Sequence, residues 1–265
     1  MKKYTLEEVI DALLGENGCP WDKAQTVESL RRYILEETYE LLEAIASGDD
    51  KKHMEELGDL LYHIHLQAAL KKRQGAFDLE DVKNCVAEKL VSRHPNVFDD
   101  ADDSIVNEKN WEERKLLQKG KSSLMDDIPD VLPALSKSEK IQRRASVCGF
   151  DWPTYEGPRN KVIEELTELD EAFSQNDSSK ISEELGDLLF SVSNLARHLG
   201  VNSEIALNDT NQKFMKRFRL MESMVEEEGL DLRDLTLDQQ DCYWVKAKNT
   251  LKNPLESQSA EELKE

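Results

Sequence analysis

Glu165 and Glu168 stand three apart, as do Glu184 and Asp187, and both spacings recur 128 positions earlier at Glu37 and Glu40 and at Glu56 and Asp59. Residues three apart lie near one another on a helical face. Two such helices packed antiparallel would bring four carboxylates around one cavity. Such a cluster is costly when empty, because each charge favours protonation of its neighbours, and one pKa unit corresponds to about 1.4 kcal/mol. A hard divalent ion removes that cost. Oxygen ligands without an adjacent histidine or cysteine suit Mg2+, with Mn2+ as a substitute, over structural zinc. A lone Glu-x-x-Glu is ordinarily solvated helix surface. Here the pairs occupy consecutive helices, are bracketed by apolar residues and are duplicated.

The duplication is long. Glu183-Glu184-Leu185-Gly186-Asp187-Leu188-Leu189 repeats Glu55-Glu56-Leu57-Gly58-Asp59-Leu60-Leu61 letter for letter, and Glu36, Leu41, Glu43 and Ala44 match Glu164, Leu169, Glu171 and Ala172. Leu30, Ile34, Leu35, Leu41, Leu42 and Ile45 recur at helical spacing, and Leu57, Leu60, Leu61 and Ile64 continue the pattern. Ser47-Gly48-Asp49-Asp50 between them supplies a helix stop and a fresh N-cap, so the segment reads as an αα-hairpin packed through its leucines. Its twin is expected from about Asn160 to Phe173, turning at 174–178 and ending at Gly200. Further helices are expected at about 79–93, stopped by Pro95, and at 105–117, with counterparts at 203–228 and 235–250. Trp111 and Lys115 have the separation of Trp244 and Lys248. No β-branched alternation marks a strand, so the fold class is all-α. Gly58 and Gly186 each carry a helix-propensity cost of about 1 kcal/mol against alanine, which a close-approaching helix or ligand would justify.

The elements that hold these acids fit two domains. A chain of 265 residues with 38% hydrophobic residues can fill two cores. The expected division is 1–119, a linker at 120–133 and 134–265, with Pro129 and Pro133 interrupting helical continuity. Charged residues at 34% leave no membrane-length apolar run, and the N-terminus lacks signal-peptide features, so a cytoplasmic location is expected. Cys19, Cys85, Cys148 and Cys242 are dispersed, with no Cys-x-x-Cys pair. A net charge of −20 disfavours polymeric nucleic acid as a partner. It also means that a phosphorylated small molecule needs a cation escort.

Cations distinguish the copies. Lys213 and Arg217, four apart, can both face phosphate, and Lys161 lies one turn ahead of Glu165. In the earlier copy Tyr33 stands at the position of Lys161, and Ala87 at that of Asn211 when Lys89 and Arg93 are set against Lys213 and Arg217. The later copy is therefore expected to be the main catalytic unit. Lys140, Gln142 and Trp152 are candidates for a nucleoside pocket, with Phe150 and Trp152 equally suited to core packing. Trp244 suits core more than ligand, and Lys248 fits either phosphate or solvent. The five histidines form no ligand motif, and His94-Pro95 reads as helix termination.

The ordered set of motifs resembles the MazG-type nucleoside triphosphate pyrophosphohydrolases, and their long tandem-domain members in particular. It comprises Glu-Glu-x-x-Glu followed by Glu-x-x-Asp, Gly18-Cys19-Pro20-Trp21-Asp22, Arg93-His94-Pro95-Asn96-Val97-Phe98, Gly149-Phe150-Asp151-Trp152, Leu195-Ala196-Arg197-His198-Leu199-Gly200 and Asn211-Gln212-Lys213-Phe214-Met215-Lys216-Arg217-Phe218. The resemblance implies a homodimeric enzyme with a four-helix-bundle-type core that hydrolyses nucleoside triphosphates between the α and β phosphates. It places magnesium on Glu165, Glu168, Glu184 and Asp187, with Glu37, Glu40, Glu56 and Asp59 as N-terminal equivalents. It places phosphate on Lys161, Asn211, Lys213 and Arg217. Glu164 or Glu168 would orient water or take its proton. The competing class is a noncatalytic helical dimerisation or regulatory module with structural cation sites.

Overall fold

The computed structural model describes residues 3–98 and 123–252, and among them every regular element is helical. The all-α expectation holds. Contacts divide the chain into two units, 1–106 and 107–265.

In the first unit, α1 (Leu6–Leu14) opens on a capping box at Thr5 and α2 (Pro20–Lys23) has proline in its first turn. The hairpin helices are α3 (Arg31–Ser47) and α4 (Asp50–Arg73), followed by α5 (Leu79–Arg93) and the short α6 (Pro95–Phe98). Ile10 and Leu14 of α1 pack with Leu30, Leu66 and Leu70, which fastens α1 across the far end of α4. Arg73 donates to the Leu14 carbonyl, and the Tyr62 hydroxyl donates to Asp22 at 2.7 Å. His94 ends α5 as expected, its Nδ1 lying 2.7 Å from the Leu90 carbonyl; Pro95 then starts another helical turn.

The second unit holds α7 (Ala134–Val147), the hairpin α8 (Glu156–Ser174) and α9 (Ser178–His198), then α10 (Ser203–Glu227), a 3-10 turn (Leu232–Asp234) and α11 (Leu237–Lys252). The first hairpin helix begins four residues before its expected start at 160, because Gly157 and Pro158 enter its first turn and Pro158 is fully buried there. A Cβ at Gly157 would come within 2.1 Å of the Trp152 ring and 2.8 Å of its Cβ, so this position accepts only glycine with the ring seated as it is. Met221 and Val225 of α10 and Tyr243 and Ala247 of α11 form the apolar cluster, with Trp244 and Phe218 against it. Helix α7 is tied largely by polar groups. Gln142 donates to the Phe190 carbonyl at 2.8 Å, Ser193 to the Leu135 carbonyl at 3.3 Å, and Asn202 to Glu139 at 3.0 Å.

The two hairpins turn alike. Asp49 accepts from the Lys51 and Lys52 amides, and Asp177 from those of Ser179 and Lys180. The residue before each aspartate is left-handed, Gly48 at φ 69° and Asn176 at φ 53°. Asparagine is among the few L-residues that enter that region readily.

Two expectations change. The hairpin stripe is covered only in part by the described residues: Leu30 is buried and Ile34, Leu41, Leu60, Leu169 and Leu188 are half-buried, whereas Leu35, Ile45, Leu57, Leu61 and Ile64 are exposed, as are Leu166, Leu185 and Leu189 in the twin. The helical period marks an apolar stripe without saying what covers it. Likewise, nothing lies within 4 Å of a Cβ built at Gly58 or Gly186, so no neighbour among the described residues accounts for either glycine. The helix expected at 105–117, with Trp111 and Lys115, lies outside the described residues. None of the described helices is long and apolar enough to cross a membrane, and all four cysteines are free.

Candidate active site

Each hairpin brings acids from both of its helices together. In the second unit, Glu165 of α8 and Glu184 and Asp187 of α9 each place a carboxylate oxygen within 4.8 Å of the others; in the first, Glu37 of α3 and Glu56 and Asp59 of α4 do the same. The geometry follows from the hairpin. Antiparallel helices set the middle of one beside the middle of the other, and Glu-x-x-Asp turns both acids toward it. Glu165 is 3% exposed whereas Asp187 is open to solvent, so the C-terminal group has a closed wall and an accessible side; in the N-terminal group Glu37 and Glu56 are half-buried and Asp59 is exposed. The donors are oxygen alone, three anions in a space that suits a hard divalent ion.

Glu168 and Glu40 stand one turn beyond and outside these three-oxygen groups. They remain coupled to them. Burial first, then the charges of Glu165 and Glu184, raises the Glu168 carboxyl above its ordinary value, with Lys161 opposing. Burial first, then Asp59, Glu40 and Glu56, raises Glu37 in the same way. Both shifts come from burial first and from neighbouring carboxylates second.

Lys161 is the clearest difference between the copies. Its ammonium lies 2.6 Å from Glu165 and 2.8 Å from Glu164, on the same helix, and these two partners hold the lysine charged well above its ordinary range. At the equivalent place Tyr33 stacks on His63 with centroids 6.0 Å apart and meets Trp21 edge-on at 5.8 Å. His63 is buried, its Nε2 3.9 Å from Glu37.

The remaining candidates are placed as follows. Asn211, Lys213 and Arg217 lie exposed or half-exposed on α10, and among the described residues no hydrogen bond or ion pair joins them to the acids. Arg217 sits 5.8 Å from the Trp244 ring centroid, and Phe214 packs on the same ring at 4.9 Å. Trp244 is thus half-buried core, with Lys248 one turn further along α11. Gln142 is buried and its amide is committed to α9, Lys140 is half-buried, and Trp152 covers Gly157. Phe150, weighed above as possible core, is 83% exposed.

Sequence reasoning did not single out Asp151 as a structural clamp. It accepts from both guanidinium nitrogens of Arg197, one at 3.0 Å, and lies 2.9 Å from His198 Nε2, fastening the loop that carries Trp152 to the end of α9. Burial would raise this carboxyl, but the bonds from Arg197 and His198 outweigh it and hold the group below its ordinary value. A depressed carboxyl contributes stability above its unfolded pKa and loses it as pH falls through the folded one. Asp151→Ala is therefore expected to destabilise the protein by about 2 kcal/mol near neutral pH. In urea unfolding the gap from wild type should narrow below about pH 4; a gap that widened with acid would remove the clamp.

The MazG nucleotide pyrophosphohydrolase domain matches this chain at residues 25–98 and 154–220, one segment over each hairpin. The chain is 44% identical over 245 residues to the nucleoside triphosphate pyrophosphohydrolase/pyrophosphatase MazG of Thermotoga maritima, covering 92% of this chain and 94% of the relative. It is also 44% identical over 242 residues to the nucleoside triphosphate pyrophosphohydrolase of Escherichia coli K12, covering 88% and 91% of the two chains. A third relative, YabN of Bacillus subtilis, is 42% identical over 251 residues, which span 93% of this chain and 51% of that protein. With a domain match over both acid-bearing hairpins and alignments running nearly end to end, the chain belongs to the MazG nucleotide pyrophosphohydrolase family.

Proposed function

We propose that this protein is a magnesium-dependent nucleoside triphosphate pyrophosphohydrolase that cleaves between the α and β phosphates, giving the nucleoside monophosphate and pyrophosphate, with most turnover in the C-terminal copy. The observation that carries the reading is the convergence of Glu165, Glu184 and Asp187 beside Lys161. When bound there, a divalent ion, Mg2+ or Mn2+ in its place, would supply charge neutralisation at the phosphates and a more acidic water. Glu165, Glu184 and Asp187 would hold that ion, with Glu168, one turn on, as the fourth acid of the set. Glu168 is also the better placed proton acceptor, because Glu164 is engaged by Lys161 and is more than half exposed. Lys161, Lys213 and Arg217 form the cationic side for the triphosphate, Asn211 adds an amide, and Lys248 on α11 is a further candidate for phosphate. Lys140, Gln142 and Trp152 border the region assigned to the nucleoside; Gln142 acts there by fixing α7 against α9.

The working unit in this reading is a homodimer. Each hairpin leaves a continuous apolar stripe in water, which a second copy would cover in a four-helix arrangement. The sequence-based limits of the two domains, 1–119 and 134–265 about a linker at 120–133, are retained as part of the proposal.

Incubating purified protein with Mg2+ and a panel of ribo- and deoxyribonucleoside triphosphates tests the function through product identity. Equimolar monophosphate and pyrophosphate, abolished by chelator, are expected. Release of orthophosphate, or metal-dependent thermal stabilisation without either product, would overturn the reading and favour a structural cation module.

A further inference from the structure

We infer that Lys161 is a resident counter-ion that occupies the C-terminal acidic group until a nucleotide arrives with its divalent ion, whereas the N-terminal group, built without such a residue, takes a divalent ion by itself. The inference rests on the reading that both acidic groups bind divalent ions. It adds an order of events and a difference between two groups of the same acids.

Glu165 is the buried acid of the C-terminal group. Its side chain is 4% exposed, and a buried carboxylate needs a compensating charge. The Lys161 ammonium at 2.6 Å provides one, standing against a carboxylate that an incoming ion must share. Lysine suits a reversible role: its charge sits on a flexible stem, and here the side chain is 35% exposed, free to swing toward another anion. A triphosphate delivers both requirements together, an ion for the acids and phosphate oxygens for the displaced ammonium. A divalent ion alone must expel Lys161 with no new partner for it.

The N-terminal group presents the contrasting case with the same acids. Tyr33 stands where Lys161 would, held by stacking on His63 and by the edge of Trp21. Arg32 folds over the Tyr33 ring, 4.5 Å from its centroid. Among the described residues no lysine or arginine forms an ion pair with Glu37, Glu56 or Asp59; Lys52 acts on Glu56 only at longer range, and the buried His63 imidazole lies 3.9 Å from Glu37. Three anions without a resident ammonium attract a free divalent ion more strongly than three anions already holding one.

Titration of the full-length protein with Mn2+, followed by electron paramagnetic resonance of the free ion, tests this directly. Asp59→Asn leaves the C-terminal group as the intact site, and Asp187→Asn leaves the N-terminal one. Without nucleotide, Mn2+ is expected to bind the Asp59→Asn protein about tenfold more weakly than the Asp187→Asn protein. Adding Lys161→Met to Asp59→Asn should recover about tenfold, while Lys161→Arg should not. A non-hydrolysable α,β-imido triphosphate should tighten Mn2+ in Asp59→Asn more than in Asp59→Asn/Lys161→Met. Equal nucleotide-free affinities at the two groups, or no gain from Lys161→Met in a protein of unchanged circular dichroism, overturn the inference and leave the pyrophosphohydrolase reading intact. Failure of Mn2+ to bind the wild type at all overturns the metal assignment and the inference with it. Lack of pyrophosphate release with the expected Mn2+ pattern removes only the catalytic reading.

Discussion

Asp187→Asn should lower pyrophosphate release by about a thousandfold while leaving the helical circular dichroism unchanged. The substitution is nearly isosteric and Asp187 is exposed, so the fold loses little. What disappears is one of three anions converging within 4.8 Å, and an amide neither balances a divalent charge nor substitutes for a carboxylate in a transition state that gathers negative charge. Asp59→Asn, the same change in the other copy, is expected to spare most of the turnover, because that group lacks the adjoining lysine. Measuring both variants on one substrate panel decides the assignment. Loss of activity confined to Asp59→Asn would mean the copies have been ranked backwards, and full activity in both would remove the acids from the chemistry.

The second large effect concerns assembly. Leu185, Leu189 and Val192 lie at i, i+4 and i+7 on α9 and are each 41–52% exposed, an apolar stripe that the described residues leave uncovered. If a second copy covers it, Leu189→Glu places an unpaired charge in the middle of a dry contact, at a cost of about 3 kcal/mol or more per copy. Sedimentation equilibrium should then find wild type at twice the chain mass and the variant at the mass of one chain over the same concentrations. The dimer dissociation constant should rise at least about a hundredfold. Wild type sedimenting as a single chain would end the dimer proposal and leave the stripe unexplained.

Much of this architecture is legible in the sequence because it was written twice. A segment repeated without change fixes its own register, so each carboxylate in one copy located its partner in the other. The turns were readable too. Asp49 and Asp177 are N-caps of the favoured type, and Gly48 and Asn176 are the residues that enter the left-handed region most easily. What sequence spacing left open was direction and partner. Lys161 was placed one turn from Glu165, which serves phosphate or carboxylate equally; the structure sets its ammonium on Glu165 and Glu164. The Asp151 clamp was hidden because Arg197 stands 46 residues away, beyond any local pattern. The hairpin leucines form the apolar stripe that their spacing implies, but only some of them, such as Leu41 and Leu60, are half-buried, since periodicity carries no information about which surface does the covering. Glu168 lies outside the three-oxygen group for a related reason: a shared helical face does not give equal distance from a neighbouring helix.

The two acid-bearing hairpins are alike enough to mistake each other for kin while the chain is being made, a hazard of tandem copies. Their clasps differ in kind. The first is shut by the greasy plug of Ile10, Leu14, Leu30, Leu66 and Leu70, the second by a set of directional ties from Gln142, Ser193 and Asn202. An α7 laid over the first hairpin would leave its amides and hydroxyls without matching acceptors, and α1 laid over the second would strand two aliphatic side chains among polar groups. Each clasp thus works as a postal address, delivering every newborn hairpin to its own half of the molecule.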